Sequence, residues 1–234
     1  MAWVRFKDLC IDAEDAAAIG RFWRAAIGGE LEVMPDGDAV LRGGPLHNIW
    51  VNSVPEGKAL KNRVHLDLRG EPSRLLDLGA TLLAEHDGWS VLADPEGNEC
   101  CVFPAPSERS DPSRVEPVGE AAAAVFAVCV DSPAPAPLAA WWQARVGGRL
   151  VPGPDGAPRW LQDAAGLDGV TWKFVPVEDA RTVKNRVHWD VLTDDVDSLR
   201  RAGASLIRAA DDEMSWTVLA DPDGNEFCAF TAPG

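Results

Sequence analysis

The chain has 234 residues, a formal net charge of -15 and a pI near 4.6. Hydrophobic residues make up 46% and charged residues 25%, the balance of a soluble globular protein. So acidic a chain repels phosphate backbones, which disfavours nucleic acid, and none is expected as a partner. The sequence has no apolar run of about 18 residues and no apolar secretory signal core at its start, so neither a spanning helix nor export is expected. Five cysteines, an odd number without C-x-x-C spacing, read as free thiols in a reducing cytoplasm.

In chain order, residues 3–12 alternate as a strand, and from Ala13 the apolar spacing turns helical, with Ala16, Ile19, Phe22, Trp23, Ala26 and Ile27 on one stripe. Asp12 is the expected N-cap, and Gly28-Gly29 the stop. Three short strands follow, around 30–34, 39–42 and 47–54, separated by Pro- and Gly-bearing turns. The order then begins again: a strand at 62–68, a short helix at 72–78 stopped by Gly79, and strands at 81–85, 89–93 and 99–103. Each unit therefore reads βαβββ, and two units make one domain.

The whole domain is then written a second time. Lys61-Asn62-Arg63-Val64-His65 returns as Lys184-Asn185-Arg186-Val187-His188. W-S-V-L-A-D-P-E-G-N-E-C-C-V-F from Trp89 returns as W-T-V-L-A-D-P-D-G-N-E-F-C-A-F from Trp216. Self-similarity at this long period marks duplicated domains rather than a solenoid. The expected boundaries are domain 1 at 1–105, a Pro- and Ser-rich linker at 106–119, and domain 2 at 120–234.

Alternation along the repeated strands sorts their faces. Arg63, His65 and Asp67 share one face against Val64, Leu66 and Leu68. Arg186, His188 and Asp190 share the matching face in the second copy. On the last strands, Glu99, Cys101 and Phe103 go together, as do Glu226, Cys228 and Phe230. Charged groups in such a hollow need partners, so Arg63 is expected to pair with Glu99 or Asp67. Cys10 and Cys129 are expected to pack as small apolar groups. Trp50, Trp89, Trp160, Trp172 and Trp216 fall on strands and are expected to line the hollows, while His47 and His86 are expected in surface or loop positions.

These motifs, N-R-V-H-L/W-D followed by W-S/T-V-L-A-D-P-E/D-G-N-E-x-C, resemble the glyoxalase-like branch of the vicinal oxygen chelate superfamily, which includes bleomycin-resistance proteins and extradiol dioxygenases. The resemblance implies an α+β fold: two tandem domains, each of two βαβββ modules, with sheets curled into cups. A fused pair would supply its own partner, giving a pseudo-dimeric monomer or, beyond that, a homodimer. Metal-using members take ligands from the first and last strands of a module. At those positions stand His65 and His188, then Cys101 and Cys228 in place of the usual carboxylate. Glu99 and Glu226 lie two residues earlier, and Asp8 or Ala127 holds the remaining first-strand place. Asp8, His65, Cys101 and Glu99 are thus the candidate metal set, and His65, Glu99, His188 and Glu226 the candidate acid–base groups.

Three readings of the polar cluster follow: a structural hydrogen-bonded network, a ligand-recognition site, and a divalent-metal or acid–base site. The expected ligand-binding set is Arg63, His65, Asp67, Trp50, Trp89, Glu99 and Cys101 in one copy. In the other it is Arg186, His188, Asp190, Trp172, Trp216, Glu226 and Cys228. The leading functional expectation is a cytoplasmic small-molecule-binding protein that sequesters or recognises a planar, cation-bearing drug or metabolite between Trp faces. The alternative is a lyase, isomerase or dioxygenase that uses a divalent metal.

Overall fold

The computed structural model describes residues 3–105, 116–117, 119–179 and 182–231; most of the expected linker lies outside them. Each expected βαβββ unit forms. The first is β1 (Val4–Ala13), α1 (Ala16–Ile27), β2 (Glu30–Val33), β3 (Ala39–Arg42) and β4 (Asn48–Ser53). The second is β5 (Val64–Gly70), α2 (Pro72–Asp77), β6 (Thr81–His86), β7 (Trp89–Ala93) and β8 (Glu99–Phe103). The third is β9 (Ala123–Ser132), α3 (Pro135–Val146), β10 (Arg149–Pro152), β11 (Pro158–Gln162) and β12 (Thr171–Pro176). The fourth is β13 (Val187–Thr193), α4 (Val196–Arg201), β14 (Ser205–Arg208), β15 (Thr217–Ala220) and β16 (Glu226–Thr231).

The units pair across the two copies. One eight-stranded sheet has the order β14-β15-β16-β13-β1-β4-β3-β2, joining units one and four. The other, β10-β11-β12-β9-β5-β8-β7-β6, joins units two and three. The joint in each sheet is antiparallel, β1 on β13 and β9 on β5, with Cys10 opposite His188 and Cys129 opposite His65. The tandem copies thus act as each other's partner, as expected of a fused pair.

Local chemistry sets the helix ends. Asp15, not Asp12, caps α1, accepting from the Ala18 N–H at 2.9 Å. Asp12 instead ends β1 as a buried carboxylate 2.6 Å from Lys184, because β1 runs on to Ala13. Gly28 closes α1 at φ 84, its N–H bonding Arg24 O at 2.9 Å, a left-handed turn that only glycine enters cheaply.

The D-P-x-G-N turns do more than set register. Asp94 accepts from the backbone N–H groups of Glu96 and Asn98 and also from Trp23 Nε1 at 3.2 Å. Asp221 repeats this with Asp223, Asn225 and Trp142 Nε1 at 3.2 Å. Trp23 belongs to the unit in the first sheet and Asp94 to the second sheet. Trp142 and Asp221 make the reverse crossing. Each copy therefore ties one sheet to the other through an indole N–H, satisfying a buried carboxylate that would otherwise be costly.

Candidate functional site

Strand alternation and the cross-copy joint bring two equivalent clusters together. In the first sheet β1 supplies Cys10, β13 supplies His188 and Asp190, and β16 supplies Cys228 opposite Asp190. Ligand-type atoms of Cys10, His188 and Asp190 lie within 4.8 Å of one another, and the Cys228 thiol hydrogen-bonds the same carboxylate. In the second sheet the set is Cys129, His65, Asp67 and Cys101, with Asp67 opposite Cys101 and the atoms of His65, Asp67 and Cys101 within the same 4.8 Å. All five cysteines are free and buried. The Cys10 and Cys129 thiols, expected as inert packing, lie against Asp190 and Asp67 respectively. The parity of Asp8, Cys10 and Asp12 on β1 was the signal for this.

The surroundings of the two clusters differ. Around the first, Asp8 stands opposite Asp190 and accepts from Asn48 Nδ2 at 2.7 Å and Trp50 Nε1 at 3.2 Å. Lys7 bonds Asp8 and lies 3.8 Å from Asp190, its ammonium 4.4 Å from the Phe230 ring centre. Trp216 stacks on Phe230 at 5.3 Å. Around the second, Ala127 replaces Asp8 and Lys173 takes the place of Trp50. Lys173 Nζ bonds Asp67 at 2.7 Å inside a cage of Phe103, Phe126 and Trp160 at 5.5, 4.5 and 5.0 Å. Trp89 stacks between His86 and Phe103 at 4.1 and 5.6 Å, so His86, though exposed, forms part of the aromatic wall.

Burial governs the charge states. It pushes the Cys101 and Cys228 thiols up to about 12 and the Cys10 and Cys129 thiols well above their ordinary value, so all four are neutral. Burial holds His65 and His188 below the usual imidazole range, and so neutral too. Asp190 is raised to about 6, chiefly by burial and against the pull of Lys7. Its Oδ1 has no hydrogen-bond partner, and neither does His188 Nδ1; both atoms are buried.

The Asp190 shift has a stability consequence. A carboxyl with a folded pKa above its unfolded value of about 3.9 favours the fold below that value and loses the benefit as pH rises through about 6. Asp190→Asn is therefore expected to match the wild type at pH 4 and to exceed it by about 2–3 kcal/mol at pH 8 in chemical denaturation. Equal stabilities at pH 8 would show that Asp190 is not desolvated at a cost.

Several expectations need correction. Arg63 does not pair with Glu99 or Asp67: Glu99 is held by Lys58 at 2.7 Å and by the Asn62 N–H at 3.1 Å, and Asp67 by Lys173. Arg63 and Arg186 instead line a cavity between the copies. Glu226 accepts from the Asn185 N–H at 3.2 Å, so both glutamates brace the K-N-R segments. Asp8 cannot join His65, Cys101 and Glu99 in one metal set, because the cross-copy pairing places it in the other sheet, opposite Asp190. Trp172 lines no cup: it is 1% exposed and packs on Trp142 and Trp189. Trp50, Trp89, Trp160 and Trp216 are half-buried on cup-bearing strands or at their ends.

The architecture has known counterparts. A family model for the glyoxalase-like domain matches residues 8–103 and again 127–230. The chain belongs to the glyoxalase-like domain family. This glyoxalase-like protein has the fold of the vicinal oxygen chelate superfamily, in two copies. The glyoxalase I structure from Zea mays aligns with a TM-score of 0.65 at 14% identity, covering 97% of this chain and 92% of that one. A proposed dioxygenase from Bacillus subtilis aligns at 0.60 and 13%, covering 98% and 86%. The cppA protein of Streptococcus pneumoniae aligns at 0.52 and 11%, covering 97% and 99%. At such identities the likeness concerns the fold alone. No curated protein sequence matches the chain. No helix among the described residues is long and apolar enough to cross a membrane.

Proposed function

We propose that this glyoxalase-like protein binds a planar small molecule in the cup of the first sheet, with a hydrogen-bond donor or positive charge of the ligand directed at Asp190. The observation that carries the reading is the buried Asp190 carboxylate, contacted among the described residues only by the Cys10 and Cys228 thiols and by Lys7 at 3.8 Å and with no partner at Oδ1, beside His188 Nδ1, which has none either. Buried polar groups left unsatisfied are costly, and functional sites are where such a cost is retained. Half-buried Trp50 and the Trp216–Phe230 stack offer flat apolar walls, and the Asp8 carboxylate holds the Trp50 indole in place. The net charge of -15 raises the local concentration of cations. The second cup is the weaker candidate for a cationic ligand, because Lys173 bonds Asp67 at 2.7 Å among three rings, whereas Lys7 bonds Asp8, stays 3.8 Å from Asp190 and meets the Phe230 ring alone.

A metal-dependent lyase, isomerase or dioxygenase is the second reading, favoured by the donor set of the first cluster. One thiol, one imidazole and one carboxylate suit a thiophilic, tetrahedral cation such as zinc, with Cys10, His188 and Asp190 as its holders. A divalent cation bound there would supply Lewis-acid polarisation of a substrate carbonyl. In either reading Asp8, Asn48 and Trp50 orient the wall of the cup, and Lys7 sets the charge beside it.

One set of measurements separates the readings. Titration of intrinsic Trp fluorescence with planar cations such as benzamidinium and acridinium is expected to show saturable quenching, weakened about tenfold or more in Asp190→Asn. Absence of quenching by the whole panel would refute the recognition reading. A stoichiometric metal in protein purified without chelator, lost in His188→Ala, would decide for the second.

A further inference from the structure

A second candidate site shares no residue with the two clusters, although the Asp12–Lys184 and Asp131–Lys61 pairs at its wall flank His188 and His65. The chain segments leading into β5 and β13 face each other and enclose a cavity of about 750 Å³ between the two copies. That volume suits a drug-sized ligand. Its walls include apolar Val54, Leu60, Val177 and Val183, of which Leu60 and Val183 are about half exposed. Lys61 and Lys184 stand at it on the buried carboxylates of Asp131 and Asp12.

The two copies break their symmetry here at one charge. Arg186 is neutralised: its Nη2 lies 3.1 Å from Glu96 Oε2 and its Nη1 bonds Glu56 O. Glu96 in turn accepts from the Glu14 and Asp15 N–H groups at 2.8 and 2.7 Å ahead of α1. The matching residue in the second copy is Asp223, one methylene shorter. It accepts from the Ser132 hydroxyl, whose oxygen receives the Ala134 N–H at 3.0 Å. Pro133, where the first copy has Glu14, has no N–H to offer. Asp223 is thereby held back from Arg63. Among the described residues Arg63 has no ion-pair partner and makes a single hydrogen bond, 2.8 Å to Asp179 O. The carboxylates of Glu56 and Asp179 also border the cavity, but both residues are exposed to solvent and lie beyond ion-pair range of Arg63.

We propose that this cavity binds an amphipathic organic anion, a carboxylate on an apolar body, whose head group takes at Arg63 the place that Glu96 fills at Arg186. The planar guanidinium fork matches a carboxylate in two-point contact, and Leu60, Val183 and their neighbours cover the tail.

Isothermal calorimetry with octanoate tests this. Saturable one-to-one binding is expected in the wild type, and none at this site with octylamine, whose ammonium would face Arg63. Arg63→Gln is expected to weaken octanoate on the order of tenfold or more. Asp223→Glu restores the missing methylene, lets the chain's own carboxylate reach Arg63, and is expected to weaken octanoate similarly while Arg63 remains. Far-UV circular dichroism confirms that each variant is folded. No saturable octanoate binding by the wild type, or wild-type affinity in folded Arg63→Gln, would overturn the proposal; if Arg63→Gln fails to fold, wild-type affinity in Asp223→Glu does so.

Discussion

Trp142→Ala is expected to lower the unfolding free energy by about 4–5 kcal/mol in equilibrium denaturation, near the upper end for a large-to-small core change. Trp142 is fully buried, and around it stand Trp141, Trp172, Phe227 and Trp189 at centroid distances of 4.9, 5.0, 5.1 and 5.4 Å. Trp172 belongs to the second sheet, Trp189 and Phe227 to the first, so one indole closes the gap between them. Its N–H also serves Asp221, a carboxyl that burial already raises to about 6, and the truncation removes that donor. The matching Trp23→Ala is expected to cost less. Trp23 makes the same bond to Asp94, but Ile49, Leu66 and Cys100 stand where the second copy has Trp172, Trp189 and Phe227. Aromatic pairs add about 0.5–1.5 kcal/mol each beyond area, so the difference should reach about 1–2 kcal/mol. Equal losses in the two variants would show that the aromatic cluster adds nothing beyond its volume. Trp189 sits on β13 between His188 and Asp190, so the cavity left by Trp142 should also loosen the cup.

That asymmetry bears on what could be read from the chain. The βαβββ order, the duplication, the stop at Gly28 and the same-face grouping of His65 with Asp67 follow from local spacing, and local spacing survives folding. Which unit pairs with which does not follow, because the antiparallel joint of β1 with β13 is a choice between similar sheet edges made by the whole core. Asp8 was therefore assigned to His65, whereas the fold sets it opposite Asp190. The error at Trp172 was of a different kind. In T-W-K-F-V-P the alternation puts Trp172 and Phe174 on one face and Lys173 on the other. A pair of aromatics reads as the core face, so both the burial of Trp172 and the presence of Lys173 in the cup were legible. Arg63 was beyond reach, since its isolation depends on one methylene in Asp223 and on what Ser132 does with it.

Lys173 supports the other large expectation. Its ammonium is 2.7 Å from Asp67, with both side chains mostly buried, at 13% and 5% exposure. Removing one partner of such a pair strands the other charge, which costs about 3–5 kcal/mol, whereas replacing both can be neutral. Lys173→Met is accordingly expected to destabilise by about 3 kcal/mol or more at pH 7, and Lys173→Met with Asp67→Asn to recover most of it. A loss below about 1 kcal/mol would place the pair among solvent-screened contacts and remove the reason for treating the second cup as already filled. With the ammonium gone, Asp67 should resemble Asp190: a buried carboxylate beside two thiols and an imidazole, with the place of Lys173 among Phe103, Phe126 and Trp160 left open. The folded single variant should then show benzamidinium quenching at a second site, in addition to the one proposed at Asp190.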